Sequence, residues 1–384
     1  MFRHIYSHQL MLADKIRMTA YERAINETIK KGDIVCDIGT GSGILSFLAV
    51  QAGAKRVYAI EKNEAIIKEA RKLANTNRLE KKIIFINDSS DEVKLPEKAD
   101  VIVCELLGNF GLEENIVKFQ TDARKRFLKS GGKLLPSWLD LYLAPIESSA
   151  LWQNYIGVWN KNFYGVNFSA VKEYAVSNRY TVDYPDKIYF LAKPSLIYHL
   201  NFYKDEDAPF LFKGKFIINR KGVFHGLVGY FKAGLAKNVI LSTSPQGPVT
   251  HWKQTFFPMR ESVGLEKGDI VYYTLKAIPY GNEIFWEWRI KILRNRSELA
   301  DFNQTNLNIN KEDLVIRHGG FKPVLTQEAK VYRRVLSLCN GKKTIEKIAK
   351  IINSEYPFQC RTEEEACSKV IGILYRKVKL REDK

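Results

Sequence analysis

DIVCDIGTGSG (Asp33–Gly43), continued by ILSFLAVQAG to Gly53, is the stretch from which the rest of the chain is read. DIVCDIG has the apolar run of a buried strand, and ILSFLAVQAG has the composition of a helix. A glycine-rich turn between the two lets the backbone approach a ligand closely and leaves the amides of the helix N-terminus free. Working outward, RVYAIE, KIIFIND and ADVIVCELL read as further strands. NEAIIKEARKLANTNRL and IVKFQTDARKRFLKSGG read as helices, and KLLPSW closes the region at about Leu135. Strands alternating with helices predict an α/β domain with a parallel, doubly wound sheet over residues 1–136. A lone G-x-G-x-G also suits a dinucleotide.

The texture changes beyond Pro136. YLAPIES, GVFHGLVGYFKAGL, DIVYYTLKAI and EIFWEWRIKILRN alternate aromatic and β-branched residues with polar ones, which predicts an antiparallel β domain over 137–298. Residues 151–176, LWQNYIGVWNKNFYGVNFSAVKEYAV, read as a helical excursion whose aromatics suit either a local core or a subunit interface. SELADFNQTNLNINKED has the composition of a linker, placed at 299–313. Residues 314–384 then read as short strands in LVIRHGGFKPVLT followed by three helices.

The 384 residues are 45% hydrophobic, enough for two or three cores. The N-terminus lacks an apolar signal region, and no run approaches the roughly 20 apolar residues of a membrane span, so a cytoplasmic protein is expected. The five cysteines form no C-x-x-C pair, and no metal site is expected. Sixty Lys and Arg against 43 Asp and Glu give a formal charge of +17, compatible with nucleic acid, an anionic surface or an acidic peptide. The charge is spread, without a block of five cations or a nucleic-acid-binding motif, which disfavours nucleic acid.

Three carboxylate positions complete a cofactor pattern. Asp37, Gly39 and Gly41 lie in the glycine loop. Glu61 ends the second strand, where an acid reaches ribose hydroxyls, and Asp88 or Asp91 follows the third, where an adenine amino group is met. Glycine loop, ribose acid and adenine acid in this order resemble the class I S-adenosylmethionine methyltransferases. After the fourth strand comes ELLGNFGLEE (Glu105–Glu114), whose Glu105 and Glu114 resemble the double-glutamate loop of protein arginine methyltransferases. STSPQGPVTHWKQT (Ser242–Thr255) resembles that family's Thr-His-Trp loop, and MLADKIRMTAYERAI its N-terminal cofactor-closing helix. The match spans roughly residues 1–296.

The resemblance implies a Rossmann-like domain, a β-barrel with a dimerisation arm in the 151–176 excursion, and S-adenosylmethionine as cofactor. It also implies that Glu105 and Glu114 hold a substrate guanidinium, with Asp14 and His251 paired beside them. His8 and Arg17 would contact the cofactor, Arg17 through its carboxylate, and Met11 and Trp252 would shape the substrate pocket. The match is mixed in detail. ELLGNF is similar to the symmetric-dimethylating branch, whereas THWKQT and Met11 are similar to the asymmetric one. Ile116 stands where a Met is expected, and Phe2 where a Tyr is.

The C-terminal stretch VLSLCNGKKTIEKIAKIINSEYP resembles PqqD-like domains, winged-helix elements that bind leader peptides of ribosomally made precursors, with Thr344 as N-cap of its second helix. From Leu314 onward sixteen Lys and Arg face eight Asp and Glu, so an acidic leader is the implied partner. The expected function is arginine N-methylation of such a precursor by a homodimer. The alternatives are methylation of a peptide amine or a small-molecule guanidine, and a nucleic-acid-binding regulator.

Overall fold

The computed structural model describes residues 2–183, 188–206, 210–280, 283–305 and 324–377, which fall into two compact units divided between Asn308 and Ile309. In the larger unit the chain begins with α1 (Phe2–Ala13) and α2 (Lys15–Thr28). It continues through β1 (Ile34–Ile38), α3 (Ile44–Gln51), β2 (Arg56–Ile60), α4 (Glu64–Thr76), β3 (Ile83–Ile86), β4 (Ala99–Cys104), α5 (Ile116–Arg126) and β5 (Leu128–Leu135). The five strands form one parallel sheet in the order β3-β2-β1-β4-β5. The order reverses between β1 and β4, the place where open α/β sheets hold ligands. Registry brings Ile38, Ile60 and Cys104 level. The next residue after each, Gly39, Glu61 and Glu105, therefore emerges at the same end of the sheet. β1 is buried along its whole length, as a parallel sheet covered on both faces requires.

From β6 (Trp138–Glu147) the chain makes an excursion through α6 (Ser149–Tyr155), the short hairpin β7 (Asn162–Phe163) and β8 (Val166–Asn167), and α7 (Lys172–Val176). β9 (Tyr180–Val182), β10 (Tyr189–Phe190), β11 (Ser195–Asn201), β12 (Phe210–Ile217), β13 (Gly222–Ala236), β14 (Val239–Ser242), β15 (Gln254–Leu265), β16 (Ile270–Tyr280), β17 (Glu283–Arg294) and β18 (Ser297–Thr305) follow. They build a seven-stranded sheet running β10-β6-β13-β15-β9, with β11 on β6 and β14 on β13, and a four-stranded sheet β12-β16-β17-β18. Inward alternation fills the space between them with aromatic side chains. Phe257, for example, lies edge-on to both Trp286 and Trp288.

Two expectations change. Residues 299–305 are not linker: β18 pairs with β17, turning Ala300 and Phe302 toward the core and burying Gln304. Polar residues on the solvent side, among them Asp301 held by Arg289, hid this alternation in a composition that reads as flexible. The β domain accordingly runs to 305, and the rest of the expected linker lies outside the described residues. The excursion is also only partly helical. Tyr164 and Gly165 both adopt positive φ and turn its middle into the β7–β8 hairpin.

The smaller unit contains α8 (Gln327–Leu338), α9 (Ile345–Glu355) and α10 (Glu363–Lys377). Val331, Val335, Ile348, Ile352, Ala366 and Val370, at helical spacing, form its core. Thr344 caps α9 by accepting the Lys347 amide. The expected strands in 314–323 lie outside the described residues. Among the described residues no helix is long and apolar enough to cross a membrane.

Candidate active site

A cleft of about 640 Å³ opens at the carboxyl ends of β1, β2 and β4, in the range of ligand-binding pockets. Its floor is the glycine loop. Gly39 and Gly41 both have positive φ, and the amides of Gly39 and Thr40 donate to the Ile60 carbonyl, each at 3.0 Å. A side chain at Gly41 would stand 2.7 Å from the His8 ring, so His8 of α1 folds over bare backbone. Glu61 accepts the Gly41 amide at 3.2 Å and the Asn63 amide at 2.8 Å, which fixes its carboxylate at the cleft wall.

Asp37, expected on the cofactor, is not among the residues that line the cleft. Its buried carboxylate accepts the hydroxyls of Thr40 and Ser46, each at 2.6 Å, and so staples the turn to α3. Burial raises its pKa to about 6 against the pull of those hydroxyls. Of the two adenine candidates, Asp88 lines the cleft. Asp91 instead accepts Lys118 at 3.0 Å, with Ser89 on its other oxygen.

The loop after β4 carries three glutamates, and the fold sorts them. Glu105 and Glu114 face the cleft. Glu113 turns away, accepting the Phe110 amide at 2.9 Å and lying 3.2 Å from Arg179. Gly108 is obligatory beneath it, since a Cβ there would fall 2.2 Å from Glu113 Cβ. Phe110 anchors the loop in the β domain, its ring 5.2 Å from that of Trp286 and 5.7 Å from that of Phe257. Glu114 and Asn115 take left-handed φ of 66° and 56°, a strain of the kind tolerated at functional sites, and the kink starts α5 with Glu114 aimed into the cleft. Desolvation raises the Glu114 pKa to about 7, with Glu105 and then Glu113 adding repulsion.

Five further residues, Asp14, His251, Arg17, Met11 and Trp252, surround this pair. Asp14 is the N-cap of α2, accepting the Arg17 amide at 3.0 Å through one oxygen. Its other oxygen meets both His251 Nδ1 and the His251 amide at 2.8 Å, and these hydrogen bonds hold its pKa below the usual value despite burial. One carboxylate thus sets the first turn of a helix and the position of a histidine 237 residues away. Arg17, expected to clamp a cofactor carboxylate, is here paired with Glu105 at 3.0 Å and 2.5 Å. Met11 lines the cleft and its carbonyl accepts Arg17 Nη1 at 3.4 Å. Trp252, almost fully buried, packs on His251 with ring centroids 4.0 Å apart and also reaches the cleft. Phe2 lies in α1, but its side chain is outside the described residues.

The sequence offered no sign of the Arg17–Glu105 pair, of the structural use of Glu113, or of Asn109, whose amide donates to the Trp252 carbonyl. Each depends on partners brought together by folding, although the αL-prone Asn115 after Glu114 was a local cue to the kink. Among the described residues no cluster of three His, Cys, Asp or Glu is placed to hold a metal ion.

S-adenosylmethionine, the cofactor the resemblance implies, fits these residues. The bare glycine cradle admits close approach, Glu61 and Asp88 offer acceptors along one wall, and Arg17 is a cation for a carboxylate.

Comparison with known proteins gives the same picture. Residues 19–139 match the family model for ribosomal protein L11 methyltransferase, and residues 139–289 that for the arginine methyltransferase oligomerization subdomain. The chain is 31% identical over 287 residues to protein arginine N-methyltransferase 1 of Dictyostelium discoideum, covering 73% of this chain and 83% of that protein. It is 32% identical over 285 residues to the same enzyme of Chlamydomonas reinhardtii, covering 72% and 82%. The Arabidopsis thaliana protein arginine methyltransferase 10 superposes with a TM-score of 0.68 at 26% identity, covering 78% of this chain and 97% of that one. A chain of the Trypanosoma brucei PRMT1 enzyme–prozyme heterotetrameric complex with AdoHcy shares the fold, with a TM-score of 0.71 at 23% identity over 78% and 96% of the two chains.

Proposed function

The chain belongs to the protein arginine N-methyltransferase family, and from that premise we propose how this S-adenosylmethionine-dependent enzyme uses the cleft. Glu105 and Glu114 receive the substrate guanidinium. The observation that carries this is that Glu105 already holds a guanidinium fork, that of Arg17, with Glu114 in the same cleft. A free guanidinium keeps its proton and delocalises its lone pairs, so it is a poor nucleophile. Two carboxylates on its nitrogens localise electron density on the third and hold it in line, so that catalysis is positioning and electrostatics.

When bound, the cofactor supplies an electrophilic sulfonium methyl. With that methyl carbon as acceptor, the carboxylates of Glu105 and Glu114 would hold the attacking nitrogen in line, and the nitrogen, once methylated, would have a proton to release. His251, held by Asp14 and lining the same cleft as Glu105 and Glu114, takes that proton outward in this reading. Along the walls Glu61 would hold the ribose and Asp88 the base, with His8 over the glycine turn. Arg17 would hold the cofactor carboxylate by giving up Glu105, whose carboxylate would then be open to the substrate.

The substrate we favour is an arginine in a ribosomally made precursor peptide, recruited through an acidic leader by the basic C-terminal unit. The PqqD-like sequence, the Thr344 cap and the charge of residues 314–384 support this reading. A homodimer is favoured by the apolar excursion, where Tyr164, Val166 and Tyr174 are well exposed, and by the oligomerization-subdomain match. Five cysteines without a disulfide favour the cytoplasm.

Mass spectrometry of an Arg-bearing precursor co-expressed with the enzyme tests the reading. Methyl increments on arginine fragments are expected, abolished by Glu105→Gln or Glu114→Gln. Methylation confined to other residues, or full activity of either variant, overturns it. An acceptor that is a free guanidine predicts turnover without residues 306–384, whereas leader recruitment predicts its loss.

A further inference from the structure

Two hydrogen bonds cross from the glutamate loop to the Thr-His-Trp loop in opposite directions. Trp252 Nε1 donates to the Leu107 carbonyl at 2.6 Å, and Asn109 Nδ2 donates to the Trp252 carbonyl at 2.6 Å. Leu107 and Asn109 flank Gly108, where the chain runs against Glu113 with no room for a side chain. Trp252 in turn is wedged between His251, at 4.0 Å, and Phe231, edge-on at 5.5 Å. The two strapped segments carry the groups that must meet at one substrate nitrogen: Glu105 and Glu114 on one, His251 on the other. Asn109 and Trp252 are 143 residues apart and lie in loops that follow strands of different sheets, β4 and β14.

We infer that Asn109 is a positioning residue, which with Trp252 forms a clasp that holds the paired glutamates in register with His251. The inference rests on the reading of Glu105 and Glu114 given above. Neither hydrogen bond touches the glycine loop or Glu61, so the clasp acts on transfer and leaves cofactor binding alone. Short, largely buried hydrogen bonds suit this task, because a displacement of about 1 Å at such a site costs on the order of a hundredfold in rate. The Asn109 amide supplies a donor where an acid would add a further negative charge beside Glu113 and Glu114.

The test uses the full-length enzyme and Asn109→Ala, Asn109→Gln and Trp252→Phe variants. Steady-state kinetics on an Arg peptide are measured with calorimetric titration of S-adenosylhomocysteine and hydrogen exchange of the Trp252 indole, identified by its loss in Trp252→Phe. For Asn109→Ala the expectation is a fall in kcat of about tenfold to a hundredfold, unchanged S-adenosylhomocysteine affinity and faster indole exchange. Asn109→Gln, which keeps the donor, should recover part of both. A kcat within about twofold of the parent, or an affinity that falls with it, overturns the inference. If the parent transfers no methyl group to arginine, the reading of the glutamates fails, and the indole exchange alone decides: unchanged protection in Asn109→Ala rejects the clasp.

Discussion

Arg17 Nε and Nη2 both donate to the same oxygen of Glu105, Oε2, at 3.0 Å and 2.5 Å, and both side chains are nearly buried. The carboxylate raises the pKa of the guanidinium against the effect of desolvation, and the guanidinium cancels a charge that could otherwise be buried only at a cost. Removing one member of such a buried pair leaves the other uncompensated, typically at about 3–5 kcal/mol. Arg17→Ala should therefore lower stability markedly without cofactor, and Arg17→Met combined with Glu105→Gln should recover most of the loss. Denaturant melts of Arg17→Ala, Arg17→Met, Glu105→Gln and the Arg17→Met/Glu105→Gln pair check this; strictly additive losses among the last three would mean the two groups are not coupled.

Glu114 gives a pH signature. Its folded pKa of about 7 lies above the ordinary value of 4.5, so between these values the folded chain holds a proton that the unfolded chain has released. Stability contributed by this group therefore falls as pH rises through that window and levels off above it. Glu114→Gln should be more stable than the parent near about pH 8 and match it near about pH 4. Melting curves across the range decide, and a parallel offset at all pH values would contradict the burial of this carboxyl.

Asp14 serves a helix cap and a histidine at once, and Asn can perform the first task nearly as well. Asp14→Asn should keep the melting temperature close to the parent while turnover falls by about tenfold or more. Asp14→Ala should lose about 1 kcal/mol of stability in addition. If the Asn variant turns over at the parent rate, the Asp14–His251 pair has no part in proton release.

The Asp37 carboxylate binds protein hydroxyls and does not face the cleft. Asp37→Ala leaves Thr40 and Ser46 short of an acceptor and should destabilise the chain by about 1–3 kcal/mol, weakening cofactor binding through the distorted turn. Asp37→Asn keeps an acceptor oxygen and should bind S-adenosylhomocysteine almost normally. Equal loss of affinity in both variants would restore a direct cofactor contact.

Tyr164 stands at the tip of the β7–β8 hairpin with its ring fully in solvent, an arrangement that suits burial against a second copy. Tyr164→Asp should shift the particle from dimer to monomer in light scattering at unchanged helix content. A monomeric parent would remove the homodimer from the proposal.

Much of this was legible in the order of residues, wherever structure follows from near neighbours. The β1–turn–α3 unit, the end-of-strand positions of Gly39, Glu61 and Glu105, and the Thr344 cap depend on periodicity, glycine and a side chain reaching its own next turn. Other features came only with the tertiary structure. Glu105, Glu113 and Glu114 are the same chemistry within ten residues, and only Phe110 seated on Trp286, with Arg179 beyond, turns Glu113 out and leaves the other two in the cleft. Asp37 and Asp91 were drawn away from the cleft lining by Thr40, Ser46 and Lys118, while β18 became a strand because β17 offered it an edge. Arg17 found Glu105 across 88 residues. A carboxylate's role is set by which donors surround it and how much water it loses, and both are properties of the packed chain.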